Sequence, residues 1–103
     1  MADGKQFPTF ADFYPHYLRE HQNRTNRRLH FAGTTLVILI AVASIVTASW
    51  LALLALPVAG YGFAWVGHFF FERNKPATFT HPFYSLVGDF RMYADMWTGR
   101  VPF

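Results

Sequence analysis

The sequence predicts an all-α membrane protein: a two-span transmembrane helical hairpin flanked by amphipathic interfacial helices, in a single domain over residues 1–103. Three observations carry this prediction. The chain has 103 residues, 52% of them hydrophobic and 15% charged. The charges are segregated: every Asp, Glu, Lys and Arg lies in residues 1–28 or 72–103, and Leu29–Phe71 holds none. A soluble layered domain needs charged surface along most of its length, and disorder needs low hydrophobicity, so both are disfavoured. The uncharged block is also too long for one span. As one helix it would extend about 64 Å, whereas a hydrocarbon core of about 30 Å takes about 20 residues. Finally, its most polar point, Thr47-Ala48-Ser49-Trp50, falls near its middle, where a hairpin turn belongs.

The first expected element is an amphipathic helix over 9–21. Phe10, Phe13, Tyr14, Tyr17, Leu18 and His21 follow the i, i+3, i+4, i+7 pattern of one helix face. Thr9 and Asp12 resemble a capping box, and Pro15 should disturb the first turn. Span one is expected over 29–48 and span two over 50–71, with a kink at Pro57 and Trp50 at the interface. A second amphipathic helix is expected over 82–98, starting at Pro82 and ending near Gly99. Its apolar stripe is Phe83, Leu86, Val87, Phe90, Tyr93 and Trp97.

Charge sets orientation and excludes some functions. Arg24, Arg27 and Arg28 precede span one, Arg73 and Lys75 follow span two, and the turn is uncharged. The positive-inside rule places both termini on the cytoplasmic side of the membrane. The polar, amphipathic start is not expected to act as a signal peptide. The net charge of +3 flanks an apolar block, so the expected partner is membrane lipid and not nucleic acid. With no cysteine there is no disulfide, thiolate zinc site or iron–sulfur cluster. A chain with two spans is compatible with a homo-oligomer, although no motif decides it.

The histidines carry the chemistry. His30 and His68 each stand about 18 residues from the hairpin turn, so in an antiparallel pair they lie at one depth. His30 shares a stripe with Gly33, Val37, Ala41 and Ser44, and His68 with Gly60, Ala64, Gly67 and Glu72. Small residues mark faces where membrane helices meet, so both imidazoles should enter the seam. His21 joins them only if the chain bends near Gln22–Arg24. His81 follows span two closely. His21, His30, His68 and His81, with Glu72 and Asn26, are therefore expected around one cytoplasm-facing pocket. Glu72 is a ligand or an orienter, and Asn26 an orienter of His30. Taken singly, each histidine also reads as an interfacial or hydrogen-bonded residue. Imidazoles and carboxylates without thiolates suit iron, zinc, copper or manganese. Arg27 and Arg73 are candidates for a substrate carboxylate, with lipid phosphate as the competing partner. His16 is expected on the solvated surface and Phe69–Phe71 against lipid.

Two longer motifs stand out: His21-Gln-Asn-Arg-Thr-Asn26-Arg-Arg-Leu-His30, and Trp65-Val-Gly67-His68-Phe-Phe-Phe-Glu72-Arg-Asn-Lys-Pro76-Ala77. With Thr80-His81-Pro82 and Gly88-Asp89-Phe90-Arg91-Met92, they resemble the 2-hydroxy fatty acid dioxygenase family, in its short bacterial-type form, over about residues 10–100. That family includes a fungal enzyme of phytosphingosine breakdown. The resemblance implies an Fe(II)-dependent membrane enzyme. It would use O2 to convert a 2-hydroxy fatty acid to the acid one carbon shorter, with Pro57 and Gly60-Tyr61-Gly62 either shaping a slot for the acyl chain or serving ordinary helix packing. His21, His30, His68 and His81 match the histidine positions expected to hold the iron. Two other readings remain open: a small membrane protein binding haem or another metal through paired histidines, and a non-catalytic assembly subunit.

Overall fold

The computed structural model describes residues 7–103, and among these the regular structure is entirely helical. Helix α1 spans Phe10–Arg19 and α2 spans Arg24–Thr47. A 3-10 turn over Trp50–Leu54 leads into α3, Ala55–Val66, which continues as a π-helical turn over Gly67–Glu72. A short 3-10 turn at Ala77–Phe79 precedes α4, Pro82–Trp97. Arg24–Thr47 and Trp50–Glu72 are each long and apolar enough to cross a membrane. They pair as an antiparallel hairpin, and α1 and α4 pack across its open end to give a particle 43 Å long.

Local chemistry explains the boundaries. Thr9 caps α1: its hydroxyl accepts from the Asp12 N–H at 3.2 Å and donates to the Asp12 carboxylate at 2.9 Å. The helix then runs through Pro15 instead of losing its first turn there. Asn23 caps α2 by accepting from the Asn26 N–H at 3.0 Å. Helix α2 therefore starts five residues before the uncharged block, and its arginines ride on its first turns. Pro57 is the third residue of α3, within the first turn, where a missing N–H leaves no helical bond unmade. The expected kink is thus replaced by a change from 3-10 to α geometry two residues earlier. The hairpin turns at Ala48, in the left-handed region at φ 55°, with the Ser49 N–H on the Ser44 carbonyl at 2.9 Å.

Small residues set the seam. A Cβ at Gly33 would lie 2.8 Å from the Phe63 Cβ, and one at Gly67 would lie 2.0 Å from the Asn26 Oδ1. The hairpin's outer faces stay uncovered, with Leu39, Val42, Ile45, Val46, Leu51, Leu54 and Val58 exposed.

At the open end, Phe13, Tyr14, Tyr17, Ala77, Met92, Met96 and Val101 form the core. Helix α4 turns its less apolar side inward: Ser85, Gly88, Met92 and Asp95 are buried, whereas Phe83, Leu86, Phe90 and Trp97 are exposed. Gly88 lets Tyr17 lie against the α4 backbone, since a Cβ there would be 2.8 Å from the Tyr17 ring. Polar side chains then lock the packing. The Tyr14 hydroxyl donates to Asp95 at 2.8 Å, and Tyr93 pairs with Thr35 at 2.8 Å.

Candidate metal centre

His21, His30 and His68 meet at the open end of the hairpin, all buried. They come from three places: the corner after α1, the second turn of α2, and the π-helical turn. The corner between Arg19 and Arg24 supplies the bend that His21 needs. The imidazole centroids are 4.4–4.9 Å apart, with planes at 83–87° to one another. The ligand atoms of all three lie within 4.8 Å of each other.

The hydrogen bonds at the back of each ring decide what faces the centre. His21 Nδ1 lies 2.6 Å from the Tyr17 carbonyl, and His30 Nδ1 lies 2.9 Å from the Asn26 carbonyl. His68 Nδ1 lies 2.6 Å from Asn74 Oδ1. A carbonyl oxygen only accepts, so each Nδ1 carries the proton. The Asn74 amide is fixed the same way, because its Nδ2 donates to the Glu20 carbonyl at 3.1 Å. All three Nε2 atoms are therefore bare lone pairs.

His21 and His68 bring theirs to 2.9 Å. Two lone pairs at that distance repel unless a cation lies between them. Protonation is a poor remedy: burial, with His30 and His68 alongside, pushes the His21 imidazole well below its usual range. Two imidazole nitrogens bound to one ion at about 2.1 Å and at right angles lie about 3.0 Å apart. The donor set thus fits a metal that takes neutral imidazole, and it contains no soft ligand.

The remaining candidates are placed as follows. Glu72 makes no hydrogen bond to His68. Its carboxylate accepts from the Gln22 N–H at 3.2 Å, the Asn23 N–H at 2.9 Å and the Asn26 Nδ2 at 3.0 Å. It clamps the corner that carries His21 to the end of the second membrane-length helix. Asn26 orients His30, but through its backbone carbonyl, while its side chain serves Glu72.

His81 does not join the three histidines. The segment from Pro76 winds through a 3-10 turn, so His81 becomes the residue before α4. Its ring packs on Phe13 and Phe7 at centroid distances of 5.4 and 5.2 Å, and its Nδ1 pairs with the Thr80 hydroxyl at 2.8 Å. Arg27 is occupied structurally: Nε donates to the Pro102 carbonyl at 2.8 Å and Nη1 to the His21 and Gln22 carbonyls. Arg73 is exposed in a left-handed turn, beside a surface depression lined by Phe69, Phe70, Asn74 and Lys75. His16 is half-buried on α1, 3.8 Å from Glu20.

Four residues of the site were not read as site residues from the sequence. Asn74 holds His68. Tyr17 stacks on His21 with centroids 3.9 Å apart. Asp89 and Thr34 line a groove of about 300 Å³ between α2, α3 and α4, which begins at His30. Beyond them its walls turn apolar, with Val37, Leu56, Pro57, Gly60 and Phe90. Gly62 faces the other side of α3. A signal existed for Tyr17 and for the Asn26 carbonyl: each lies four residues before a histidine, where the carbonyl of the preceding helical turn meets Nδ1. Asn74 and Asp89 carry no comparable spacing.

A family model described as 2-hydroxy-palmitic acid dioxygenase Mpo1-like matches residues 7–101. No curated protein and no solved structure gives a significant match. The matched stretch takes in all three converging histidines, their hydrogen-bond partners and both walls of the groove, so the chain belongs to the Mpo1-like family.

Proposed function

We propose that this protein is an Fe(II)-dependent dioxygenase of the membrane. It converts a 2-hydroxy fatty acid to the acid one carbon shorter. The observation that carries the reading is the set of three buried imidazoles, each back-bonded through Nδ1 and facing the others through a bare Nε2, at the mouth of an apolar groove. His21, His30 and His68 hold the iron, which when bound supplies the redox chemistry that lets O2 react with an organic acid. The balance is R–CH(OH)–COOH and O2 to R–COOH, CO2 and H2O, so no external reductant is consumed.

The chain's own residues do the rest. The Tyr17 and Asn26 carbonyls and the Asn74 amide hold each ring in one tautomer and one orientation. Glu72 and Arg27 hold the corner that carries His21. The groove takes the acyl chain, and the aromatic core of α1 and α4 keeps water from the buried histidines. The exposed apolar flanks of the hairpin and the outward stripe of α4 fit a lipid environment continuous with the groove. Arginines at the open end favour the cytoplasmic side for the centre. A porphyrin between His21 and His68 is incompatible with 2.9 Å between their nitrogens.

The test is anaerobic reconstitution of the purified protein with Fe(II), then addition of O2 and 2-hydroxyhexadecanoic acid. Pentadecanoic acid and CO2 in equal amounts are expected. Stoichiometric iron on the histidines with neither product formed would overturn the reading.

A further inference from the structure

We propose that Asp89, held by Tyr17, recognises the 2-hydroxyl of the fatty acid and so sets the preference for a 2-hydroxy acid over the unsubstituted one. This rests on the substrate class proposed above. Asp89 shares the groove with His30 but is not among the groups whose ligand atoms converge on the centre. It is a carboxyl in a lining that is apolar apart from His30, Thr34 and Tyr61, and that needs a reason.

Its partners leave it incomplete. The Tyr17 hydroxyl donates to Oδ1, and among the described residues it is the one hydrogen bond Asp89 makes. Among the described residues no cation is spent on it: Arg91, two residues on, pairs with Asp95 at 3.1 Å and lies over the Tyr14 ring. The second oxygen of Asp89 is thus left without a partner among the described residues, on a residue that lines the groove. A carboxylate accepts from a hydroxyl and repels another carboxylate, so a 2-hydroxy acid would enter with its hydroxyl toward Asp89 and its carboxylate turned away. The unsubstituted acid has no donor at that carbon and would leave the second oxygen of this half-buried carboxyl without a partner. A site built to bond a hydroxyl rejects the analogue that lacks it far more strongly than an apolar pocket rejects a missing methylene.

Tyr17 gives this recognition its register. The same side chain stacks on His21 at 3.9 Å, and its carbonyl holds the His21 Nδ1. The position of Asp89 is therefore tied to the position of the centre through one residue. Gly88 allows it, because a side chain there would push Tyr17 away.

The test compares equilibrium binding of 2-hydroxyhexadecanoic and hexadecanoic acids to the Fe(II)-loaded protein in detergent under nitrogen, with iron content measured alongside. The wild type is expected to prefer the 2-hydroxy acid by at least about 10-fold. Asp89→Leu should lose that preference while keeping its iron. The double variant Tyr17→Phe/Asp89→Leu leaves no orphaned hydroxyl, and it should behave the same if Asp89→Leu proves unstable. Full retention of the preference in either iron-loaded variant overturns the role of Asp89 alone. Absence of any preference in the iron-loaded wild type overturns the substrate reading together with it.

Discussion

The two ends of the hairpin are built from different interactions. At the closed end, between Ser44 and Leu54, the apolar side chains are exposed, and the side-chain bonds are local, such as Thr47 to the Ala43 carbonyl at 2.6 Å. At the open end, Glu72, Asn74, Arg27, Tyr14 and Tyr17 each reach a partner more than five positions away. An apolar outer surface asks only for apolar side chains and satisfied backbone, so many sequences serve. Three imidazoles held at one point ask for a fixed angle at every ring. Positional precision is therefore concentrated at one end of a 43 Å particle.

Breaking the open end should cost most at the ligands. His68→Ala removes one of three nitrogens, and metal analysis after reconstitution with Fe(II) should show loss of the stoichiometric binding expected of the wild type. Retention of full occupancy would detach the histidines from the centre.

Next comes Gly67→Ala, where the new methyl would meet the Asn26 Oδ1 at 2.0 Å. Overpacking of this kind costs about 1–3 kcal/mol, and here it also displaces the helix turn that carries His30. Lower thermal stability together with weaker metal binding is expected.

Asn74→Ala keeps every ligand but frees the His68 ring. A partner of this type is worth about 10- to 100-fold in metal affinity, readable by competition with a chelator. An affinity equal to wild type would mean that the ring is held by packing alone.

The smallest effect belongs to the closed end. Ala48→Gly relieves a left-handed residue at φ 55° and should raise stability by about 1 kcal/mol without changing iron binding. A change in iron affinity there would show that the two ends are coupled, contrary to the comparison.

Part of this was legible before any coordinates. The uncharged block, its length and the polar residues at its middle lead to two antiparallel helices. Equal distance from the turn then puts His30 and His68 at one depth. Other features depended on geometry that no spacing encodes. Glu72 sits four residues from His68, yet its carboxylate turns to the Gln22 and Asn23 N–H groups, because the N–H groups of the corner are free to donate whereas the His68 Nδ1 is already bonded to Asn74. The 3-10 turn after Pro76 carries His81 to the foot of α4, where Phe13 receives it. The apolar stripe of α4 faces outward, because Gly88 on the opposite side lets Tyr17 lie against the α4 backbone.

What the sequence by itself determined was what recurs along a helix at fixed intervals: two membrane-length helices, their pairing and the depth of two histidines. Periodicity and length suffice for these, since hydrophobic burial and backbone hydrogen bonding are satisfied locally. Only the tertiary structure decided which histidines share a centre, which atoms hold them and what faces the groove. Those outcomes turn on hydrogen bonds between residues as far apart as Tyr17 and Asp89, or Glu20 and Asn74. The direction of such bonds exists only after the corner, the π-helical turn and α4 have packed together.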